Sequence, residues 1–259
     1  MLWVNSISAG QRRDKILETL NNSGKVTVAR LVGDFGVSDA TVRNDLAAME
    51  QDGLLRRIRG GAVKANNPFY MSQNNRMNIK KDEKILIAKA CANLIDDGDT
   101  LMINPGTTTL YLAKELSERH NLTVVTNSVL IAQELVCGNM INVVLLGGNI
   151  DTQYQFTFGD DTVRQLQKYR ANKVIIATDG ISANNGLTTY HPKSVEVSSQ
   201  MIERAYETIV VADNTKIGKE GFSFIAPISV VNVLVTNKHS ENNSELEALR
   251  KKGVAVISS

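Results

Sequence analysis

Short apolar runs alternate with amphipathic segments from Thr100 to the end of the chain, and this alternation constrains the fold more than any other feature. The apolar runs are TLMIN, LTVVT, INVVLL, KVIIAT, ETIVVA, VVNVLVT and VAVIS. Each has the length of a strand, and the segments between them carry apolar residues at helical spacing. Strands that are buried on both faces and joined by crossover helices predict a mostly parallel sheet. We therefore expect an α/β fold for this part of the chain.

Polar residues follow five of these predicted strands. Ligands of parallel sheets bind at the carboxyl ends of the strands, so these residues are candidate ligand contacts. Gly106 and the threonines after it offer backbone N–H groups, hydroxyls and the positive end of a helix, which together suit a phosphate. Each segment alone also fits a helix cap or a turn, but their convergence favours a binding site. The candidates are Gly106, Thr107, Thr108, Thr109, Asn127, Gly148, Asp179 and Lys216.

Several other classes of site are not indicated. Residues 106–109 lack the lysine that ends a P-loop, and the dinucleotide-binding fingerprint is absent. Cys91 and Cys137 have neither CxxC spacing nor a histidine cluster nearby, so we expect two buried, inert thiols, no metal and no cofactor. No apolar run approaches the ~20 residues that span a bilayer, and no secretory signal begins the chain. We expect a cytoplasmic protein without membrane contact.

Residues 37–63 predict a capped helix that runs into a basic hairpin. Ser38 is a good N-cap and Asp39 suits the first turn, while Val42, Leu46 and Met49 recur at helical spacing on one face. The opposite face carries Ala40, Arg43, Asn44 and Ala47. Such a helix fits the major groove of DNA, where arginine pairs with guanine and asparagine with adenine. The candidate DNA contacts are Ser38, Asp39, Ala40, Thr41, Arg43, Asn44, Arg56, Arg57 and Arg59.

The hairpin and the preceding residues complete a helix-turn-helix with a wing. Gly60 and Gly61 suit a two-residue turn, which places the three arginines of the hairpin beside the phosphates. Upstream, one helix ends near Gly24 and another begins at Thr27. A three-helix core with an ordinary solvated basic edge is the alternative, and the wing arginines favour DNA binding.

Residues 12–63 resemble the N-terminal domain of the DeoR family of bacterial transcriptional regulators. The resemblance rests on V-S, then T-V-R, then D-L, then G-L-L and a closing G-G-A. Two positions depart from the family pattern. Asn44 replaces a usual second arginine and Arg59 replaces a usual histidine, which predicts an altered base preference and an added phosphate-seeking charge.

Residues 82–257 resemble the sensor domain of the same family, through G-T-T-T at 106–109, T-N at 126–127, L-G-G at 146–148 and D-G-I at 179–181. The resemblance implies a fold similar to ribose-5-phosphate isomerases and a phosphorylated sugar-pathway ligand. It also implies that residues 106–109 hold the phosphate, while Asp179, Thr188 and Lys216 contact the hydroxyl end. Asn104 stands where the family usually has aspartate. The lost carboxylate predicts a different or more acidic effector, such as a phosphorylated sugar acid.

Charge and length agree with a small basic head on a larger neutral body. Residues 1–65 hold 10 Lys and Arg against 7 Asp and Glu, whereas the rest of the chain holds 19 against 20. We predict a winged helix-turn-helix domain over residues 1–65, a polar linker over 66–80 and an α/β sensor domain over 81–259.

These observations predict a transcriptional repressor that binds double-stranded operator DNA as a homodimer or homotetramer. Two alternatives are a sugar-phosphate isomerase-like enzyme and a constitutive DNA-binding protein. An enzyme needs a general base, and the available carboxylates are Asp179, Glu196 and Asp213. His120, His191 and His239 are scattered, and we expect surface or capping roles for them. We therefore expect no catalytic activity.

Overall fold

The computed structural model describes residues 7–51, 53–64, 73–117, 119–137, 141–238 and 242–259. The chain divides into two compact units, Met1–Arg76 and Met77–Ser259. Each unit has its own hydrophobic core.

The N-terminal unit is a winged helix-turn-helix, as predicted. Its elements are α1 (Ala9–Ser23), β1 (Lys25–Thr27), α2 (Val28–Phe35), α3 (Asp39–Gln51), β2 (Leu55–Ile58) and β3 (Gly61–Lys64). The strands form an antiparallel sheet in the order β1-β3-β2. The Thr27 hydroxyl caps α2 by accepting the Arg30 N–H, and Ser38 caps α3 by accepting the Thr41 N–H. The expected caps are therefore confirmed.

The wing turn lies one residue earlier than predicted. Arg59 and Gly60 form the turn, and Gly61 already belongs to β3, opposite Thr27 of β1. A Cβ atom at position 61 would stand 2.0 Å from the carbonyl oxygen of Val26. The second glycine therefore serves the close approach of β1, a strand that the sequence did not predict.

The C-terminal unit is an α/β domain. Its helices are α5 (Lys81–Ala92), α6 (Thr107–Leu116), α7 (Val129–Val136), α8 (Asp160–Leu166), α9 (Pro192–Glu203) and α10 (Asn243–Lys251). The strands of its main sheet are β4 (Thr100–Ile103), β5 (Leu122–Thr126), β6 (Ile141–Leu145), β9 (Ala171–Ala177), β12 (Ala205–Val211), β14 (Val233–Thr236) and β15 (Ala255–Ser258). Five further short strands are β7 (Asn149–Asp151), β8 (Phe156–Phe158), β10 (Gly180–Ser182), β11 (Gly186–Thr189) and β13 (Ser223–Ala226).

The main sheet has seven parallel strands in the order β15-β14-β12-β9-β4-β5-β6. This confirms the predicted parallel sheet. The chain order reverses between β4 and β9, which makes a topological switch point. Apolar side chains fill both faces, with Met102 and Val174 in one core cluster and Leu101 and Ile175 in the other. Ligands of open α/β sheets bind at such a point, outside the carboxyl ends of the strands, and we call the region at the carboxyl ends of β4 and β9 the crevice.

Two antiparallel additions and one helix were not predicted. β7 pairs with β8, and a small sheet has the order β10-β11-β13. Of the predicted linker, residues 66–72 lie outside the described residues, and helix α4 (Gln73–Asn78) follows them. Among the described residues, no helix has both the length and the apolar character that crossing a membrane requires.

Candidate DNA-binding face and effector crevice

Helix α3 has one face buried in the core and one face exposed to solvent. Val42, Leu46 and Met49 are buried in the core of the N-terminal unit. Of the predicted DNA contacts, Ser38, Asp39, Ala40, Arg43, Asn44, Arg56, Arg57 and Arg59 are exposed and Thr41 is half-buried. The structure thus brings the predicted residues of α3 together on one accessible surface.

Arg43 is held by a carboxylate of its own helix. Its Nε donates to Asp39 Oδ1, and its Nη2 donates to Oδ2 over 3.3 Å. The hydrogen bond and then the charge of Asp39 raise the pKa of Arg43. Arginine is charged at all physiological pH values. The two hydrogen bonds to Asp39 hold its guanidinium in one orientation.

The wing arginines differ from one another. The backbone N–H and the Nε of Arg57 each donate to a different oxygen of the Glu50 carboxylate over 2.7 Å. The backbone hydrogen bond and the guanidinium of Arg57 lower the pKa of Glu50. Among the described residues, the guanidinium groups of Arg56 and Arg59 have no ion-pair partner. Glu50 therefore ties the wing to the end of α3.

A cleft of about 320 Å³ separates α3 from the wing. Its apolar floor and charged rim are formed by Val28, Arg43, Leu46, Glu50, Arg57, Ile58, Arg59 and Gly61. Three arginines and one glutamate line it, so the cleft has a positive balance that suits a phosphate-bearing partner.

A buried ion pair supports this face from behind, and the sequence analysis did not find it. Arg12 Nε of α1 donates to Asp45 Oδ2 of α3 over 2.7 Å, and Arg13 Nε reaches Oδ1 over 3.3 Å. Arg12 and Asp45 are both buried. Asp45 lies directly before the buried Leu46 in the sequence. A charged residue next to a predicted core position was the signal that could have indicated a buried ion pair.

In the C-terminal unit, α6 begins at the switch point with an N-cap that makes no side-chain hydrogen bond. The N-cap residue is Gly106, where a Cβ atom would lie 2.4 Å from the Ala177 Cβ of β9. Thr107, Thr108 and Thr109 are buried, and Thr109 Oγ1 donates to the Asn104 carbonyl oxygen over 2.9 Å. The threonine hydroxyls thus do not cap α6, and its N-terminus keeps the positive pole that suits an anion.

Asn104 bridges β4 and β9 rather than facing outward. Its Oδ1 accepts the Ala177 N–H over 2.7 Å, and its Nδ2 donates to the Ala177 carbonyl oxygen over 3.0 Å. Nδ2 also lies 3.4 Å from Ser198 Oγ. These hydrogen bonds hold the Asn104 side chain between β4 and β9, with part of its bonding capacity used by the protein.

Asp179 and Thr188 are also buried and bonded. Asp179 Oδ2 accepts the Thr189 hydroxyl over 2.9 Å and the Tyr190 N–H over 3.0 Å. Thr188 Oγ1 accepts the Gly221 N–H over 2.7 Å. Both side chains are therefore rigidly placed beside the crevice, with part of their bonding capacity used by the protein.

The remaining predicted contacts lie at separate strand ends. Asn127 Nδ2 donates to the Thr157 carbonyl oxygen over 2.8 Å, whereas its buried Oδ1 has no hydrogen-bond partner among the described residues. Gly148 has φ +146°, and a Cβ atom there would stand 2.1 Å from Thr162 Oγ1. Lys216 is half-buried in a 3₁₀ turn, Asn214–Lys216, and its ammonium has no ion-pair partner within the described ranges.

Tyr154 and His191 belong to this region and were missed. Their ring centroids lie 4.1 Å apart, and His191 Nε2 is 3.9 Å from Asp179 Oδ2. The expected surface or capping role is thus incomplete for His191, which is half-buried at the N-cap of α9. Its position directly before Pro192 was the available signal. His120 is exposed, and His239 lies outside the described residues.

The two cysteines have different environments. Cys91 is buried as expected, and burial raises the pKa of its thiol to about 12. Cys137 is exposed, so the expectation of two buried thiols is wrong. In the part of the chain that the structure describes, no group of three or more His, Cys, Asp or Glu residues is placed to hold a metal ion.

Comparisons with known proteins cover both units. Residues 12–67 match the DeoR-like helix-turn-helix domain, and residues 79–238 match the DeoR C-terminal sensor domain. The chain is 34% identical to the transcriptional repressor AccR of Agrobacterium fabrum, over 96% of this chain and 98% of that protein. It is 32% identical to a lactose phosphotransferase system repressor of Staphylococcus epidermidis, over 93% and 94% of the two chains. Ribose 5-phosphate isomerase A of Methanocaldococcus jannaschii is similar in fold, with 16% identity, a TM-score of 0.40 and coverage of 53% and 54%.

Proposed function

Because the chain belongs to the DeoR family of transcriptional regulators, we propose that it is a repressor of a sugar or sugar-derivative operon and acts in the cytoplasm. Its N-terminal unit binds operator DNA, and its C-terminal unit binds a phosphorylated sugar or sugar acid. The single observation that carries the first half is the exposed face of α3, where Arg43 and Asn44 stand beside small residues.

In the DNA complex, α3 lies in the major groove. Arg43 contacts guanine and Asn44 contacts adenine, because these side chains match the hydrogen-bonding edges of those bases. Ser38, Asp39, Ala40 and Thr41 line the start of the helix beside them. Arg56, Arg57 and Arg59 lie on the wing, where contacts to phosphates set register and affinity.

In the effector complex, the phosphate binds the N–H groups at the start of α6. The absence of a side-chain cap on Gly106 supports this assignment. Asp179 and Thr188 face the hydroxyl end, Lys216 supplies a positive charge, and the buried Oδ1 of Asn127 accepts a donor. Gly148 allows the close packing of the neighbouring loop on Thr162, and Asn104 supports the switch point.

The effector site acts by binding and not by turnover. Control of DNA affinity requires only that the ligand bind one state of the protein more tightly than the other. The protein acts as a homodimer or homotetramer, since two recognition helices about 34 Å apart match successive half-sites of an operator. Light scattering of the full chain measures this oligomeric state.

The test is fluorescence anisotropy of the full chain on duplex DNA from upstream of its own gene. Phosphorylated sugars, phosphorylated sugar acids and their unphosphorylated forms are added separately. We expect one phosphorylated compound to change the DNA affinity at least tenfold, and its unphosphorylated form to have no effect. Lys216→Ala should weaken this response, whereas Lys252→Ala, a change at the exposed end of α10, should preserve it.

Each outcome addresses a different part of the proposal. DNA binding that no phosphorylated compound alters would refute the effector site and leave the constitutive DNA-binding alternative. Absence of binding to any duplex would refute the repressor itself. Conversion of the active compound to a new product, followed by NMR, would favour the isomerase-like alternative.

A further inference from the structure

Asp39 occupies one edge of the Arg43 guanidinium and leaves another edge open. The contact is a side-on pair, in which Nε and Nη2 of Arg43 donate to the two carboxylate oxygens. A guanidinium carries five N–H donors in a fixed plane. The outer pair, one N–H on Nη1 and one on Nη2, points away from the Cδ atom and has no acceptor among the described residues.

Two parallel N–H donors match the two acceptors that guanine presents in the major groove, O6 and N7. We propose that Asp39 is a positioning residue, which orients the Arg43 guanidinium so that this outer pair meets guanine. The inference rests on the proposed function of Arg43 and extends it to a residue that touches no base itself.

Orientation matters because both side chains are exposed, at 57% for Arg43 and 59% for Asp39. A free arginine on such a surface samples many rotamers, and ordering one long side chain at an interface costs about 0.5–1.5 kcal/mol. The ion pair with Asp39 restricts the Arg43 side chain before DNA binds, so part of this cost is already met. The ion pair also disfavours rotation of the Arg43 guanidinium toward a phosphate, because such a rotation would break both hydrogen bonds to Asp39.

A second ion pair in the same unit provides a matched control. In α2, Arg30 Nε lies 3.5 Å from Asp34 Oδ2, and these partners are also four positions apart with both side chains exposed. An exposed pair of this kind adds little to the stability of a helix. If Asp39 served helix stability alone, its removal, like that of Asp34, would leave the base preference unchanged.

The experiment selects the preferred sequence of the full-length wild-type chain from a library of randomised duplexes. Affinities are then measured for the selected duplex and for duplexes with each guanine replaced. Arg43→Ala should remove the preference at one guanine, which a bidentate contact sets at about 5- to 150-fold. Asp39→Asn should reduce the same preference by about 2- to 12-fold, the equivalent of ordering one side chain. Asp34→Asn should leave it unchanged.

A ratio of two affinities cancels any change in the folded fraction, so a modest loss of stability does not obscure the result. In the Arg43→Ala background, Asp39→Asn should have no further effect on the preference. With Arg43 present, Asp39→Glu should retain part of the preference that Asp39→Asn loses. An unchanged preference in Asp39→Asn would overturn the inference while leaving the role of Arg43 intact. Loss of preference at a different base pair would mean that Asp39 reads a base directly. If Arg43→Ala retains the preference, or if no sequence is selected, the proposed function of Arg43 fails as well.

Discussion

The proposed DNA-binding face and the proposed effector crevice use their polar residues differently. On α3, Asn44 projects from an outward face, and its side chain has no role in closing the fold. At the crevice, Asn104 and Thr188 are buried and bonded to backbone groups. Asn44 is thus exposed to a partner, whereas Asn104 and Thr188 first bond to the protein itself.

The physical cause lies in the backbone. Where parallel strands end, N–H and C=O groups lose their ladder partners, and buried groups of this kind must find others. Side chains such as Asn104 provide those partners across the switch point. The exposed face of a helix makes no such demand, because the helix satisfies its own backbone.

The largest expected effect comes from the ion pair between Arg12 and Asp45, whose side chains are buried and bonded like those at the crevice. Asp45→Ala leaves the buried guanidinium of Arg12 without its carboxylate. Breaking a buried ion pair by removing one partner costs about 3–5 kcal/mol. We expect urea denaturation, followed by circular dichroism, to show this loss in the N-terminal unit.

Asp34→Ala is the control, because Asp34 pairs with Arg30 at the exposed surface. It should cost at most about 1 kcal/mol. If the two variants lose similar amounts of unfolding free energy, burial does not distinguish the two ion pairs. The contrast between exposed and buried polar residues would then not hold.

Gly106→Ala tests the crevice in the same way. The added Cβ would meet Ala177 of β9 at 2.4 Å, so α6 and β9 must separate. Overpacking of this kind costs about 1–3 kcal/mol, and displacement of the N-terminus of α6 should abolish the response to a phosphorylated effector. Thermal unfolding with and without the active compound measures both effects.

Gly33→Ala serves as the control, since a Cβ atom there meets nothing within 4 Å. This change inside α2 should raise stability by about 0.5–1 kcal/mol and leave the effector response unchanged. An unimpaired response in Gly106→Ala would show that the phosphate does not bind at this helix.

The sequence predicted helices and strands better than it predicted the hydrogen-bond partners of side chains. The apolar periodicity that defines β4, β9 and β12 is local, and it was sufficient to predict the parallel sheet. The pairing of Asn104 with Ala177 joins residues far apart in the chain. No local pattern specifies such a pair, so the contacts of Asn104 became visible only in three dimensions.

The wing illustrates the same limit at shorter range. Its basic character was evident from composition, yet the three arginines were treated as equivalent. Glu50 distinguishes them, because it binds Arg57 and leaves Arg56 and Arg59 available. The carboxylate precedes Arg57 by seven residues, a spacing that helical periodicity does not connect to a strand on the wing.

The wing arginines allow a smaller test of outward residues. Arg59→Ala should weaken binding to all duplexes alike and reduce the slope of log affinity against log salt by about 1, as expected for one phosphate contact. Arg57→Ala should reduce the slope by less than half as much, because Glu50 already engages its guanidinium. Anisotropy at several salt concentrations measures both slopes. Equal slopes would mean that Arg57 leaves Glu50 when DNA binds.

The smallest expected effect concerns Glu50. Its carboxylate lies near the protein surface, yet it accepts two hydrogen bonds from Arg57. Its pKa in the folded protein is lowered from the usual 4.5, first by the backbone N–H of Arg57 and then by its side chain. The resulting stability is fully present above the unfolded pKa and is lost as the pH falls through the folded pKa. Urea denaturation between about pH 7 and about pH 3 should therefore show a pH-dependent loss in the wild type that Glu50→Gln lacks.

That difference should be about 0.2–1 kcal/mol, because both partners are partly exposed to solvent. Glu18→Gln is the control, since Glu18 is exposed on α1 and has no ion-pair partner among the described residues. It should follow the wild-type pH dependence. If Glu50→Gln also follows the wild type, the carboxylate does not brace the wing, and Arg57 becomes equivalent to Arg59. The distinction between bonded and available side chains would then hold only for buried residues.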